Sequence, residues 1–145
     1  MPICFLTVSG CSHDFTQLGD YCYGYIKQAE TWHDAQATCK ALEGFLAEPR
    51  TFVEHVFVKG LVQQYDGGDA WIGLTDKVHD GKWFWANHGD PLSEFTDWAP
   101  TKPDDGTLSN CVQLYAKAYH HWDDHICSVK KSFVCQLPVS DVLVG

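Results

Sequence analysis

The chain has 145 residues, the usual length of a single domain, and 45% of them are apolar, which suffices for a hydrophobic core. With 10 basic and 19 acidic side chains, its net charge is −9, the wrong sign for a protein that binds nucleic acid or an anionic membrane. No apolar run approaches the roughly 18 residues of a membrane-spanning helix, so we expect neither nucleic acid nor membrane insertion.

The first predicted elements are a strand and a helix. Residues 21–26 alternate aromatic with small or polar side chains after a Gly-Asp turn, which is typical of a strand, and Cys11 is expected on the first arm of a hairpin with it. Thr31 as an N-cap, followed by Asp34 in the first turn, predicts a helix that ends at Gly44. The residues at helical spacing, expected to face the core, are Trp32, Ala35, Cys39 and Leu42.

A second helix and a buried strand follow. Thr51 and Glu54 form a capping box, which predicts the start of this helix. Its expected core-facing residues are Val53, Phe57, Val58 and Leu61. Residues 70–74 predict a buried strand, and short strands separated by Gly, Pro, Asn and Asp fill the rest of the chain. Two helices followed by a β-rich half indicate the α+β class.

The segment 87–110 is polar, contains Pro91, Pro100 and Pro103, and carries few strand signals. A loop of this length within a compact domain is usually either functional or disordered, and the aromatic residues Phe95 and Trp98 favour order. We therefore expect the ligand to bind in this segment.

Seven cysteines are many for a reduced cytosolic domain of this length. None of them forms a Cys-x-x-Cys pair, so the spacing favours disulfides over zinc thiolates. Disulfides require an oxidising compartment, which predicts a secreted, extracellular protein, although residues 1–8 do not have the features of an intact signal peptide. Since seven is odd, one thiol remains after three bridges.

Four motifs resemble those of the C-type lectin domain, over essentially Cys11 to Gln136. They are Trp71-Ile72-Gly73-Leu74 as the core strand, Trp83 and Trp85 followed by Trp98, Lys102-Pro103-Asp104 in place of the family's Glu-Pro-Asn or Gln-Pro-Asp, and Trp122-Asp123-Asp124 in place of Trp-Asn-Asp. The resemblance implies a C-type lectin-like fold in its long form, with two helices, two small antiparallel sheets and a long ordered loop region. The domain is expected over 11–137, between an N-terminal extension, 1–10, and a C-terminal tail, 138–145, that frays.

The resemblance also implies a pairing for six of the cysteines. The pairs are Cys39 with Cys135, Cys111 with Cys127, and Cys11 with Cys22 as the extra bridge of the long form. Cys4 is left over, and we predict that it links two copies of the chain, or this chain and a close paralogue, rather than remaining a harmless thiol.

In sugar-binding members of the family, a calcium ion bridges the protein and two sugar hydroxyls. Its ligand positions correspond here to Lys102, Asp104, Ser109, Asp123 and Asp124. An ammonium has no oxygen to offer calcium, so Lys102 argues against the ordinary site. We expect Lys102 to occupy the vacated position and pair with the aspartates, unless it simply points to water, and we expect a cis bond before Pro103 as in the family.

An auxiliary calcium position of the family is better preserved. Its ligands correspond to Asp76, Asp80, Asp105, Ser109 and Asn110, of which three are carboxylates. A weakly held calcium ion and solvated loop acids remain open as alternatives, and no cofactor is expected to be required.

The sequence offers a cluster that could bind sugar without calcium. Tyr119 and His120 precede Asp123 and Asp124, and aromatic rings beside convergent polar groups are typical of sugar sites. An acetamido group could stack on either ring, donate its N–H to either carboxylate, and offer its carbonyl to Asn110. We therefore expect binding of terminal N-acetylhexosamines, GlcNAc or GalNAc, with loop packing as the alternative role of Tyr119 and His120.

Two other function classes are compatible with parts of the sequence. The His-rich run 120–125 could serve a metal or acid/base site, but the chain has no nucleophile-elbow, phosphate-loop or zincin spacing, and we expect no enzyme. A lectin-like domain that binds a protein partner and no sugar is the stronger alternative. By resemblance to soluble single-domain lectins of invertebrate body fluids, the main prediction is an agglutinin of innate recognition, which needs at least two linked sites.

Overall fold

The computed structural model describes residues 6–144 except His13, Asp66 and Asp105. Over this part of the chain the elements, in order, are β1 (Leu6–Gly10), β2 (Thr16–Leu18), β3 (Tyr21–Glu30), α1 (Trp32–Ala41), β4 (Phe45–Leu46), α2 (Phe52–Tyr65), β5 (Ala70–Thr75), β6 (Phe84–Trp85), β7 (Cys111–Tyr115), β8 (His121–His125), β9 (Lys131–Pro138) and β10 (Ser140–Val144). The α+β class is confirmed. None of the helices described is long and apolar enough to cross a membrane.

The strands form one large sheet and one small one. The large sheet has eight strands, six of them in the order β2-β3-β9-β5-β7-β8, with β4 beside β9 and β6 beside β5. Its pairs are antiparallel except β5 with β9, which run parallel. The β5 strand is buried along its whole length, as its apolar sequence predicts.

Helix α1 begins where the sequence predicts. The Thr31 side chain accepts a hydrogen bond from Asp34 N–H at 3.2 Å, which caps the helix. At its C-terminus Glu43, not Gly44, takes the left-handed conformation, with φ 70°. Gly44 is required for a different reason: a Cβ there would collide with the Gln136 carbonyl of β9. The helix therefore ends against the sheet.

Helix α2 buries Val58 and Leu61 as predicted, but the rest of its buried face differs from the prediction. His55, Val58, Leu61 and Val62 are its buried residues. Val53 is 63% exposed, so its prediction as a core residue is wrong. The helix instead buries the imidazole of His55 against Phe95 and Trp122, because the long loop covers this side of the helix.

Three disulfides link the described elements, with the predicted pairings. Cys39–Cys135 joins α1 to β9, Cys111–Cys127 joins the start of β7 to the segment after β8, and Cys11–Cys22 joins the residues before β2 to β3. Cys11 precedes the hairpin rather than lying on its first strand. Each bridge is expected to stabilise the fold by about 2–4 kcal/mol, chiefly by restricting the unfolded chain.

The two ends of the chain meet. β1 pairs with β10 in antiparallel register, from Leu6 opposite Val144 to Gly10 opposite Ser140. The expectation that the tail frays is therefore wrong for residues 140–144, which form a two-stranded sheet with the N-terminal extension. Cys4 lies outside the described residues, and its predicted intermolecular bridge stays a prediction.

Candidate functional site

The long loop, 87–110, is held to the core at several points. Its start is fixed by Glu48, which is fully buried and accepts hydrogen bonds from Asn87 N–H at 2.5 Å and His88 N–H at 3.2 Å. Burial raises the pKa of the Glu48 carboxyl. In the middle, Ala99 N–H donates to Trp122 O at 2.8 Å, which aligns the loop with β8.

Asp97 connects the same loop to helix α2 and strand β8. One of its carboxylate oxygens lies 2.7 Å from His55 Nε2 of α2 and 2.8 Å from His121 Nδ1 of β8. Burial lowers the pKa of His55, and the negative charge of Asp97 opposes that change without reversing it. This junction could not be predicted from the sequence, because its three members come from segments far apart in the chain.

Lys102 lies among the aspartates, as predicted. The bond between Lys102 and Pro103 is cis. Lys102 Nζ is 2.8 Å from Asp104 Oδ1 and 3.3 Å from Asp123 Oδ1. Hydrogen bonding to Asp104 raises the pKa of Lys102, with the charge of Asp123 adding to the effect, so the side chain is a firmly held ammonium.

Asp123 and Asp124 present their carboxylates from β8 to this ammonium and to the loop. Asp123 Oδ2 accepts a hydrogen bond from Gln113 Nε2 on β7 at 2.7 Å, and Asp124 Oδ1 accepts one from Asp104 N–H at 3.1 Å. Carboxylate oxygens of Asp104, Asp123 and Asp124 lie within 4.8 Å of one another. Three acids this close need a cation, and in this chain the Lys102 ammonium supplies one.

The family's sugar-bridging calcium does not fit these residues. Lys102 has no lone pair, and its ammonium already contacts two of the carboxylates that would bind the ion. At the position of a further acidic ligand, Ser109 is buried at 3% exposure and offers only a hydroxyl.

Beside Lys102 the loop leaves a pocket of about 120 Å³. Its walls include Trp83 and Pro103 on the apolar side, and Asp76, Asp80, Asp104 and Asp124 on the polar side. The Trp83 ring is held by edge contact with Trp98, the two centroids lying 5.0 Å apart. Trp83 belongs to one of the family motifs in the sequence but is not among the predicted site residues, and the structure places it in the pocket wall.

The residues of the auxiliary calcium position retain suitable oxygens. Asp76 is 2% exposed; its Oδ2 accepts a hydrogen bond from Gly81 N–H at 2.8 Å. Asp76 Oδ1 and Asn110 Oδ1 are both buried without a hydrogen-bond partner among the described residues. Burial, aided by the charge of Asp80, raises the pKa of Asp76. These oxygens fit a hard cation, while Asp105 lies outside the described residues.

Tyr119 and His120 lie away from Asp124. Both are at the turn of the β7–β8 hairpin, whereas Asp124, opposite Val112, lies near its open end. Over the three strand steps from Tyr115 to Val112, the separation along the strand is about 10 Å. The His120 ring is buried, with Nε2 2.9 Å from Gly67 O, and Tyr119 is 78% exposed. This arrangement disfavours an acetamido group that stacks on either ring and donates its N–H to Asp124, while the predicted donation to Asp123 stays a prediction.

The chain was compared with known proteins. The family description "Lectin C-type domain" matches residues 28–137. A type-2 ice-structuring protein of Hemitripterus americanus is 34% identical over 136 residues, which cover 94% of this chain and 80% of that protein. The C-type lectin TsL of Trimeresurus stejnegeri is 29% identical over 145 residues, covering 92% of this chain and 90% of that protein.

Among solved structures, a calcium-independent type II antifreeze protein has a TM-score of 0.81 and 28% identity, covering 92% of this chain and 98% of the other. These relatives are lectins and antifreeze proteins by name, not enzymes. The matched span contains both helices, the long loop and the acidic strand β8. The chain belongs to the C-type lectin domain family.

Proposed function

We propose that this domain binds glycans with terminal N-acetylhexosamines, GlcNAc or GalNAc, without a sugar-bridging calcium ion. One observation carries the proposal: the Lys102 ammonium stands 2.8 Å from Asp104 and 3.3 Å from Asp123, at positions that correspond to the family's calcium ligands. A protein site built in this way retains both charged donors and charged acceptors for sugar groups.

The pocket beside Lys102 suits an acetamido group. Its methyl can lie against Trp83 and Pro103, which form the apolar wall. Its N–H can donate to the carboxylate of Asp104 or Asp124 in the polar wall, and its carbonyl can accept from Lys102 Nζ, which lies beside Asp104. Hexoses such as glucose and galactose lack this group and would bind poorly. Trp83 thus takes the stacking role first assigned to Tyr119.

Calcium has at most an auxiliary place in this proposal, at the Asp76 and Asp80 part of the same pocket, where a bound ammonium would compete with it. Asp76 and Asp80, with Asp105, would hold a weakly bound ion through their oxygens, where it would supply positive charge and order the loop. Because sugar contacts do not pass through this ion, a chelator should leave glycan binding intact.

The decisive experiment is a glycan array run with and without chelator. We expect GlcNAc- or GalNAc-terminated glycans to be bound in both conditions, with competition by the free N-acetylhexosamine. Abolition of binding by chelator would overturn calcium independence. Binding to cells that free N-acetylhexosamine does not inhibit would favour the alternative, a lectin-like domain for a protein partner.

A variant of the apolar wall adds a second test. Trp83→Leu should weaken binding of N-acetylhexosamine by at least about tenfold, because the ring face is lost. Tyr65→Leu alters an aromatic side chain that is 51% exposed at the end of α2, and serves as the matched control. Circular dichroism of both variants verifies folding; equal affinities of the two folded variants would contradict the placement of the sugar.

We further propose a secreted agglutinin, not an enzyme, that acts as a disulfide-linked dimer through Cys4, with itself or a close paralogue. Two linked sites can gain 10²–10⁴ in avidity without a new contact. Cys4→Ser should preserve single-site binding and abolish both the covalent dimer on a non-reducing gel and agglutination. Unchanged mobility would contradict the dimer.

Ice binding is a second candidate, favoured by the 34% identity to the ice-structuring protein and by the likeness to a calcium-independent antifreeze structure. Thermal hysteresis measured at millimolar protein distinguishes the two. Hysteresis without glycan binding would replace the lectin proposal, while glycan binding without hysteresis would uphold it.

A further inference from the structure

The acids of the pocket wall differ in how they are compensated. Asp104 is neutralised by Lys102, which also contacts Asp123. Asp76 and Asp80 line the same pocket, and no salt bridge within the described part of the chain reaches either of them. The pocket therefore keeps a negative end, formed by Asp76 and Asp80.

Asp76 gives that negative end a built acceptor. The side chain is 2% exposed and lines the pocket. Gly81 N–H occupies Oδ2, which leaves Oδ1 buried with no hydrogen-bond partner among the described residues. A buried carboxylate oxygen without a donor is unfavourable, and a ligand that brings a charged donor relieves that cost.

A primary ammonium matches this end of the pocket. It has three donors, and Asp76, Asp80 and Asp124, which line the same pocket, supply carboxylate acceptors. Trp83 adds a ring whose face attracts cations. The chain already satisfies neighbouring carboxylates in this way, since Lys102 Nζ lies 2.8 Å from Asp104.

We propose that the Asp76 end of the pocket binds the protonated primary amine of a hexosamine, so that glycans in which some N-acetylhexosamines carry a free amino group bind more tightly than fully N-acetylated ones. About 120 Å³ admits the amino group and the ring carbons next to it, while the remainder of the glycan crosses the pocket mouth. This inference rests on the proposed function, because it assumes that the ligand of the pocket is a sugar.

The test compares three methyl glycosides by calorimetry or NMR titration, in chelator and at low salt, below the pKa of the amine. They are the glucosaminide, the N-acetylglucosaminide and the glucoside. We expect the wild-type protein to bind the glucosaminide at least about tenfold more tightly than the glucoside. Equal affinity for these two would overturn the inference.

Two variants assign the effect to residues. Asp76→Asn keeps an oxygen for Gly81 N–H but removes the charge, and Asp80→Asn changes an exposed acid that does not support the core. Each should reduce glucosaminide affinity about tenfold and alter N-acetylglucosaminide affinity less than twofold. Glu94→Gln, an exposed acid of the long loop that is not part of the pocket wall, is the control. Undiminished amine preference in both aspartate variants would overturn the inference.

The failure of this inference is distinguishable from failure of the proposed function. Binding of N-acetylglucosaminide without any preference for the amine refutes only the inference. Binding of the amine without N-acetylglucosaminide refutes the proposed function and supports the ammonium site. Nα-acetyl-lysine methylamide supplies the same ammonium from a protein; if it binds as tightly and with the same sensitivity to Asp76→Asn, the hexosamine assignment is overturned.

Discussion

The two ends of the β7–β8 hairpin carry similar side chains in different surroundings. At the open end, Asp123 and Asp124 meet the long loop through Lys102 and Asp104. At the turn, His120 packs beneath the segment after α2, where its ring nitrogen reaches the carbonyls of Gly67 and Gly68. Both ends are polar and aromatic in sequence, and the pocket lined by Asp104 and Asp124 lies at the open end.

The difference shows what makes a polar cluster a candidate site in this fold. The His120 ring is 5% exposed and satisfied by the protein itself. The acids at the open end are compensated by a loop side chain that remains partly exposed, the Lys102 side chain being 22% accessible. Ligand groups can therefore exchange with contacts at the open end, whereas contacts at the turn stabilise the fold.

The largest effect is expected from Lys102→Met. Without the ammonium, buried Asp123 loses its charge partner, which should lower the free energy of unfolding by about 2 kcal/mol and weaken N-acetylhexosamine binding at least about tenfold. Lys117→Met, at the exposed turn of the same hairpin, is the matched control. Urea unfolding measures the stability and calorimetry measures the affinity. If the two variants behave identically, the two hairpin ends do not differ in the way proposed.

His120→Ala should have the next largest effect, on stability alone. Loss of the ring leaves the Gly67 carbonyl without its donor and should cost about 1–2 kcal/mol of unfolding free energy, with glycan affinity unchanged. His79→Ala removes an exposed imidazole and should be neutral. If His120→Ala reduced glycan affinity in a fully folded protein, the turn would be part of the binding site.

A smaller effect should appear on acidification. Burial lowers the pKa of His55 in the folded protein, so between that pKa and the unfolded value of about 6.5 the unfolded chain binds more protons. Stability is therefore expected to fall as the pH drops below about 6.5, and to stop falling from this cause below the folded pKa. Urea midpoints at several pH values measure the effect.

His55→Phe isolates this contribution, since it replaces the imidazole by an apolar ring at a site already packed against Phe95 and Trp122. The variant should flatten the pH dependence in that range, whereas His79→Ala should preserve it. An unaltered slope in His55→Phe would assign the acid sensitivity to other groups.

Tyr119→Ala is expected to have the smallest effect. The side chain is 78% exposed at the turn, so stability should change by less than about 0.5 kcal/mol and glycan affinity should not change. Calorimetry with the preferred glycan measures it. A tenfold loss of affinity would restore Tyr119 as a sugar-stacking residue and contradict the comparison of the two ends.

Local signals were sufficient for much of the fold. The Thr31 cap with Asp34 placed the start of α1, and the apolar run of β5 marked the central strand. The core face of α2 was harder to predict, because Val53 is exposed whereas His55 is buried against Phe95 and Trp122. A helical period shows which residues share a face, but the neighbours determine which face is buried.

Some features of the candidate site could likewise be predicted from the sequence, and others could not. Lys102 could be read as an ammonium among aspartates, because its motif and that of Asp123 and Asp124 were recognisable in the sequence. The junction of Asp97 with His55 and His121 carries no local pattern. The role of Trp83 also depends on the path of two loops.

The sequence by itself determined the α+β class, the family resemblance and the chemistry of the loop, including an ammonium where the family has a calcium ligand. These properties depend on residue type and on neighbours close in the chain. The tertiary structure alone decided that His120 and Tyr119 stand apart from the aspartates, and that Asp76 keeps an unsatisfied oxygen in the pocket wall. Strand register sets the distance of the two rings from the aspartates, and burial leaves the Asp76 oxygen unsatisfied. Both depend on contacts between residues distant in the sequence.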